Sequence, residues 1–143
     1  MEFTYREILK WGDKREHQID PLMLKVIKEK FGFSDEDLKT KHHPGSQLVK
    51  LEKQSSLTQQ QQDFFRSTVG TENLLTDDFS RAKFSCGKFY GELLDLRLNL
   101  VPDPPDAVVS PRNEDELGKI ITYCNQEKIP VIPAGGQSSV TGA

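Results

Sequence analysis

The sequence predicts an α+β fold, with a helical region over residues 1–100 followed by a strand–helix–strand unit over residues 101–143. Helix-capping residues and apolar residues at helical spacing characterise the first region, whereas short β-branched runs occur in the second. A proline-dense stretch at residues 101–106 separates the two, because closely spaced prolines exclude helix and favour a stiff, extended connection. We therefore place a domain boundary at residue 101.

Besides a short helix whose acidic first turn follows Ser34, three helices are predicted in the first region. Asp20 stands before a proline, as an N-cap does before a first helical turn, and the apolar spacing that follows stops at Gly32. Thr58 caps a second helix, whose glutamine-rich first turn leads to an apolar side and ends at Gly70. The leucine-rich residues 93–100 fit the tail of a third helix.

The second region has the order of elements found in α/β units. Residues 107–110 form a short β-branched run bounded by prolines, which predicts a strand. Asn113, with Glu116 three residues later, predicts the start of a helix. Residues 129–133 form another apolar run of strand character, so we expect a right-handed parallel crossover. The apolar face of the helix between the strands comprises Leu117, Ile120, Ile121 and Cys124.

Composition excludes several classes of protein. The 22 acidic and 19 basic side chains give a net charge of −3, and no basic tract is present, which disfavours a nucleic-acid-binding protein. Apolar runs are far shorter than the roughly 20 residues that cross a bilayer, so no transmembrane segment is predicted. The charged N-terminus does not resemble a secretion signal. We expect a soluble protein of the cytoplasm or an organelle lumen.

The cysteines and histidines do not predict a metal site. Cys86 and Cys124 lie in no CxxC motif, and we expect both to be reduced and structural. His42 and His43 run into a proline-glycine turn, and no further ligand has suitable spacing. We interpret the histidine pair as part of a solvated loop.

The candidate site is the glycine-rich segment that follows the second predicted strand. Glycines let backbone N–H groups converge on an anion, and the hydroxyl groups of the segment add donors. No acidic residue follows Glu127, so no nearby carboxylate in the sequence would repel a phosphate. The segment matches neither the Walker loop nor the Rossmann fingerprint, and an ordinary glycine turn remains the alternative. The candidate residues are Pro133, Ala134, Gly135, Gly136, Gln137, Ser138, Ser139 and Gly142.

The stretch PDAVVSPRNEDELGKIITYCNQEKIPVIPAGGQSSVTG, from Pro105 to Gly142, resembles the start of the FAD-binding domain in FAD-linked oxidases. These are the enzymes of the vanillyl-alcohol-oxidase and p-cresol-methylhydroxylase type. The resemblance implies that the strand–helix–strand unit is the first β-α-β unit of such a domain and that FAD is the cofactor. It also implies that the glycine-rich segment wraps the pyrophosphate of FAD.

Upstream motifs resemble those of the alkyldihydroxyacetonephosphate synthase branch of this family. That branch is similar to the D-lactate and 2-hydroxyacid dehydrogenases but carries a helical N-terminal extension. The resemblance implies an FAD-dependent enzyme, with a dehydrogenase of the related branch, or a non-catalytic phosphate-binding or interaction module, as the alternatives. The motifs are Lys10-Trp11-Gly12, Lys30-Phe31-Gly32, Asp77-Asp78 with Arg81, and the run GKFYGEL at 87–93.

Two residues depart from the family pattern. Gln137 stands where a third loop glycine is usual, so its side chain must either point away from the pyrophosphate or donate its amide to it. Phe84 stands where relatives often have histidine. The family's catalytic residues and the parts that bind the isoalloxazine ring and the substrate correspond to positions beyond Ala143. We therefore expect an N-terminal piece that is inactive alone, from an enzyme that takes a small-molecule or lipid-precursor substrate and can form a homodimer.

Overall fold

The computed structural model describes residues 3–9, 19–39, 45–137 and 139. The described residues form a mixed α and β structure in which helices predominate, which confirms the α+β class. Its helices are α1 (Tyr5–Leu9), α2 (Pro21–Phe31), α3 (Asp35–Lys39), α4 (Gln59–Val69), α5 (Asp78–Lys83), α6 (Tyr90–Arg97) and α7 (Glu114–Glu127), and its strands are β1 (Leu74–Leu75) and β2 (Val108–Val109).

The helix ends that the sequence predicts are confirmed at α2 and α4. The Asp20 carboxylate accepts a hydrogen bond from the first turn of α2, and Gly32 ends this helix in the left-handed conformation at φ 71°. Thr58 accepts from the N–H of Gln61, while the Gln61 side chain accepts from the N–H of Thr58, so α4 begins with a reciprocal capping box.

Helix α7 begins where the sequence predicts. The Asn113 side chain accepts a hydrogen bond from the N–H of Glu116 at 2.9 Å, and Lys128 ends the helix at φ 57°. The Glu116 carboxylate, however, accepts from the backbone N–H of Arg112 and from its guanidinium, at 2.8 and 2.6 Å. Glu116 therefore fixes the residue that precedes the cap, and with it the path of the chain into α7.

The predicted second strand is not confirmed in the described structure. Residues 129–133 are irregular, and β2 pairs instead with β1 in an antiparallel ladder that places Leu74 opposite Val109. Strands need a neighbour to pair with, and the prolines within residues 129–133 lack the N–H that a ladder requires. The described residues therefore contain no parallel crossover.

Two apolar clusters form the core. The first joins α1, α5 and α6 through Tyr5, Ile8, Leu51, Ala82 and Leu96. The second joins α4 and β1 to α7 through Phe65, Val69, Leu74, Ile120 and Cys124. Phe64 and Tyr123 extend the second cluster as stacked rings with centroids 3.7 Å apart. Residues on either side of the predicted boundary at residue 101 thus share one core, so α7 is held in place by the helical region.

The proline-dense connection is fixed by polar contacts on both sides. Arg81 of α5 is 1% exposed and donates from Nε to the carbonyl oxygen of Pro105 at 2.8 Å, and from Nη2 to that of Lys53 at the same distance. The Asp106 carboxylate accepts from the N–H and the hydroxyl of Ser56 at 2.6 and 2.9 Å. The connection is therefore anchored directly before β2, as its proline content predicts for a stiff segment.

Candidate functional site

The glycine-rich loop lies beyond α7 and begins with exposed backbone. Ala134, Gly135 and Gly136 are exposed, and a Cβ added to either glycine would meet no heavy atom within 4 Å. No hydrogen bond between described residues engages the N–H groups of these three residues. The loop therefore offers backbone donors that have no partner among the described residues, on a surface that a ligand can approach closely.

Gln137 turns the loop in a way that explains why glycine suits this position. Its φ is 53°, in the left-handed region that residues with a Cβ adopt uncommonly. Its side-chain amide donates from Nε2 to the carbonyl oxygen of Lys83 at 2.9 Å. Of the two orientations that the sequence leaves open, the structure has the amide bound to α5.

Ser139 is held by the segment that connects α5 to α6. Its carbonyl oxygen accepts a hydrogen bond from the backbone N–H of Lys88 at 2.7 Å. A Cβ on Gly87 would lie 3.3 Å from the same oxygen, so glycine at this position lets the two backbones approach. Ser138 and Gly142, which the sequence also assigns to the site, lie outside the described residues.

Glu92 of α6 fixes the turn that holds Ser139. Its two carboxylate oxygens accept from the N–H groups of Gly87 and Phe89, at 3.1 and 3.0 Å. The sequence run 87–93 therefore has a physical role: its glutamate fixes the turn, and the turn contacts the glycine-rich loop. The sequence identified this run without predicting its contact with the glycine-rich loop. The glutamate three residues after Phe89 was the sequence signal for the turn itself.

Lys88 adds a buried amino group behind the loop. Its Nζ donates to the carbonyl oxygen of Ile8 at 3.1 Å. Burial lowers the pKa of the Lys88 ammonium, and the neighbouring Lys83 lowers it further, against the opposing effect of Cys86. This side chain supports α1 and does not face the exposed glycines by any contact that the structure records.

The other candidate groups offer no second site. Cys86 and Cys124 are free thiols, and burial raises the pKa of each, which keeps both protonated at neutral pH. Phe84 is half-buried, and the Lys83 ammonium lies 5.6 Å from its ring centroid. Within the described ranges, no group of three or more His, Cys, Asp or Glu side chains could hold a metal ion. His17, His42 and His43 lie outside those ranges.

The segment that contains the loop matches a known protein family. Residues 105–143 match a family described as FAD binding domain. This segment is similar to FAD-binding domains. The match indicates FAD as the cofactor, and the loop fits that cofactor because its free N–H groups, its exposed glycines and its lack of carboxylates suit a phosphate group.

The chain is also similar to proteins named as a synthase, a dehydrogenase and an oxidase subunit. It is 32% identical over 80 residues to the alkyldihydroxyacetonephosphate synthase of Trypanosoma brucei brucei, a match that covers 56% of the chain and 13% of that protein. It is 50% identical over 38 residues to the mitochondrial D-lactate dehydrogenase [cytochrome] of Arabidopsis thaliana, covering 27% and 7%. Glycolate oxidase subunit GlcD of Bacillus subtilis (strain 168) is 42% identical over 38 residues, covering 27% and 8%. No solved structure matches the chain.

Together, the matches show that the chain is similar to a family of FAD-binding domains over residues 105–143 and to the named enzymes over 38 to 80 residues. The matched residues make up less than a sixth of each relative's length. The matches therefore do not establish the reaction of the whole protein. Among the described residues, no helix is both long enough and apolar enough to pass through a membrane.

Proposed function

We propose that this chain forms the N-terminal part of an FAD-dependent enzyme similar to the alkyldihydroxyacetonephosphate synthases, and that its glycine-rich loop binds the pyrophosphate of FAD. The observation that carries the proposal is the unpaired backbone at Ala134, Gly135 and Gly136 within the FAD-binding segment. Pro133 precedes this backbone, and Gln137 and Ser139 follow it. We extend the site to Ser138, as a hydroxyl donor, and to Gly142.

The extent of the matches favours the synthase branch. The FAD-binding segment has fewer than 40 residues, and the match to the Trypanosoma synthase spans 80, so about half of it lies upstream of residue 105. The match to the Arabidopsis D-lactate dehydrogenase is higher in identity but spans only 38 residues. The helical region therefore adds similarity to the synthases that the shared FAD segment alone does not supply.

The higher identity to the dehydrogenase supports a second candidate, an FAD-dependent 2-hydroxyacid dehydrogenase. The two candidates share FAD and differ in substrate. Incubation of the complete protein with an acyl dihydroxyacetone phosphate and a fatty alcohol tests the first, because only a synthase exchanges the acyl group for the alcohol. Dye reduction that depends on D-lactate or another 2-hydroxy acid tests the second.

We also propose that residues 129–133 become a strand parallel to β2 when the FAD-binding domain is complete. Val131 and Ile132 are exposed, as are Leu117 and Ile121 on α7, so this face has apolar side chains available for burial. A parallel sheet is stable only when both faces are covered. Pairing would complete the β-α-β unit that this family resemblance implies.

The chain's own residues contribute binding and not the electron transfer. FAD supplies the redox chemistry through its isoalloxazine ring, and the protein's task is to position the cofactor. Here the loop would donate backbone hydrogen bonds to the pyrophosphate oxygens, which are strong because the acceptor is charged. We assign no catalytic residue within the chain.

The experiment that tests the loop is equilibrium dialysis of FAD against the full chain and its Gly135→Ala and Gly136→Ala variants. Both glycines have room for a Cβ and neither has a positive φ, so the variants should fold normally. An added methyl group would nevertheless stand between the backbone and a phosphate, and we expect bound FAD to fall at least about tenfold, as for the loss of one charge-assisted hydrogen bond.

Gly118→Ala is the matched control. Gly118 lies in α7, where a Cβ also meets no atom within 4 Å, and alanine is the better helix former by about 1 kcal/mol. This variant should bind FAD as the unchanged chain does. Equal FAD binding by all three alanine variants would show that the loop is not part of the FAD site.

A further inference from the structure

We propose that Gln137 is a positioning residue that locks the FAD loop onto the helical region, so that α5 and the α5–α6 connection set the geometry of the pyrophosphate site. The inference rests on the proposed function of the loop. It goes beyond that function because it places part of the cofactor site's support outside the FAD-binding segment. Two hydrogen bonds support the inference, one from Gln137 to Lys83 and one from Lys88 to Ser139.

The two contacts hold the loop at the same end. Gln137 and Ser139 lie two residues apart, and each is bound to the segment 83–88 by a hydrogen bond of normal length, 2.9 and 2.7 Å. Gly135 and Gly136, immediately before them, have no such contact. The loop is therefore fixed on the C-terminal side of its exposed glycines, and the N–H groups of these glycines have no hydrogen-bond partner in the part of the chain that the structure describes.

The supporting segment is itself held rigidly. Arg81 anchors the end of α5 to the carbonyl oxygens of Lys53 and Pro105. Glu92 accepts from the N–H groups on both sides of Lys88, which fixes the N–H that reaches Ser139. A loop bound to such a template has fewer conformations to lose when it binds a ligand, which improves affinity.

The backbone strain at position 137 is offset by the hydrogen bond that the Gln137 side chain donates to Lys83. Left-handed backbone is disfavoured for a residue with a Cβ, and glycine would adopt φ 53° without strain. Glycine, however, could not donate to Lys83. The structure thus assigns Gln137 a role that a glycine in the same turn would not perform.

The test compares Gln137→Met and Gln137→Gly with the unchanged chain. Methionine keeps the length and the strain but removes the donor, and glycine removes both. The first readout is amide hydrogen exchange at Lys88 without FAD, since this N–H is protected by Ser139. We expect exchange about tenfold faster in both variants. The N–H of Ile129, which donates to Cys124 at 2.9 Å before the loop, is the internal control and should be unaffected.

The second readout is the width of the pyrophosphate resonances of FAD in phosphorus NMR, a signal that reports contact with the phosphates. We expect the broadening produced by the unchanged chain to fall about fivefold or more in both variants, with unaltered thermal unfolding. Gln137→Gly would equal or exceed the unchanged chain if conformational freedom alone mattered, and that result would overturn the inference.

The two readouts separate the inference from the proposed function. Unchanged Lys88 exchange in both variants would refute the lock even if FAD binds. Faster Lys88 exchange in a chain that does not broaden the FAD resonances would show that the lock exists but supports no FAD site, which would refute the proposed function and the positioning role together. Faster exchange at Ile129 as well would indicate general unfolding and would also count against a local lock.

Discussion

Arg81 shows how much one side chain can organise in this protein. It lies in α5, and its guanidinium reaches two carbonyl oxygens in different segments while lying 3.6 Å from an oxygen of Asp78. The sequence gives no sign of these partners, because they are far away along the chain. The same holds for Gln137: its departure from glycine is visible in the sequence, but its acceptor on Lys83 is not.

We predict that Arg81→Lys lowers the free energy of unfolding by about 3 kcal/mol, because an ammonium cannot replace two divergent guanidinium hydrogen bonds and one buried carbonyl oxygen would lose its partner. Urea denaturation measures the effect. Arg97→Lys, at an exposed position of α6, is the matched control and should change stability by less than about 0.5 kcal/mol. Equal stability of the two variants would contradict the anchoring role of Arg81.

At the scale of elements, local signals predicted α2, α4, α7 and the strand β2, but not β1 or its pairing with β2. Caps such as Asp20, Thr58 and Asn113 act within one helical turn, so the sequence contains the whole interaction. Strand pairing depends on a distant partner, and the observed partner of β2 is β1, a two-residue strand with no alternating pattern. The predicted strand at residues 129–133 had the right composition but has no partner here.

The start of α7 provides a pH prediction. Hydrogen bonds from Arg112 lower the pKa of Glu116, so the folded protein holds this carboxylate ionised more strongly than the unfolded chain does. The stabilisation is therefore complete above the unfolded pKa of about 4.3 and is lost as pH falls through the lowered folded pKa. Glu116→Gln should lower stability at pH 7, and the difference from the unchanged protein should disappear in strong acid. A difference that persists undiminished at low pH in denaturation experiments would contradict this assignment.

At the scale of the whole molecule, the second apolar cluster joins the helical region to α7. Several apolar side chains on α7 and in the residues that follow it are nevertheless exposed. Ile132 is 88% exposed, and Val131, Leu117 and Ile121 are exposed with it. Only 35% of the residues are hydrophobic, below the roughly 45–50% of typical domains on a count that includes glycine, so the composition predicts a small core. Which face lacks cover follows from the fold and not from the composition.

We predict that the isolated chain associates with itself and holds FAD more weakly than micromolar. Exposed apolar side chains of this density favour association, and a contact at the pyrophosphate alone cannot offset the freedom that so large a ligand loses. Sedimentation velocity should show concentration-dependent association that the double variant Ile121→Ser/Ile132→Ser reduces. Leu22→Ser, on the exposed side of α2, is the control and should have a smaller effect. A monomeric chain that binds FAD at micromolar concentration would contradict this prediction.

Phosphorus NMR of FAD shows whether the loop at residues 133–139 contacts the pyrophosphate, as we propose. The method detects weak binding and tolerates association of the protein. We predict that the unchanged chain and Gly118→Ala broaden the pyrophosphate resonances equally, and that Gly136→Ala broadens them far less, because its methyl group blocks the approach of a phosphate to the backbone. Equal broadening by Gly136→Ala, or none by the unchanged chain, would contradict the claim.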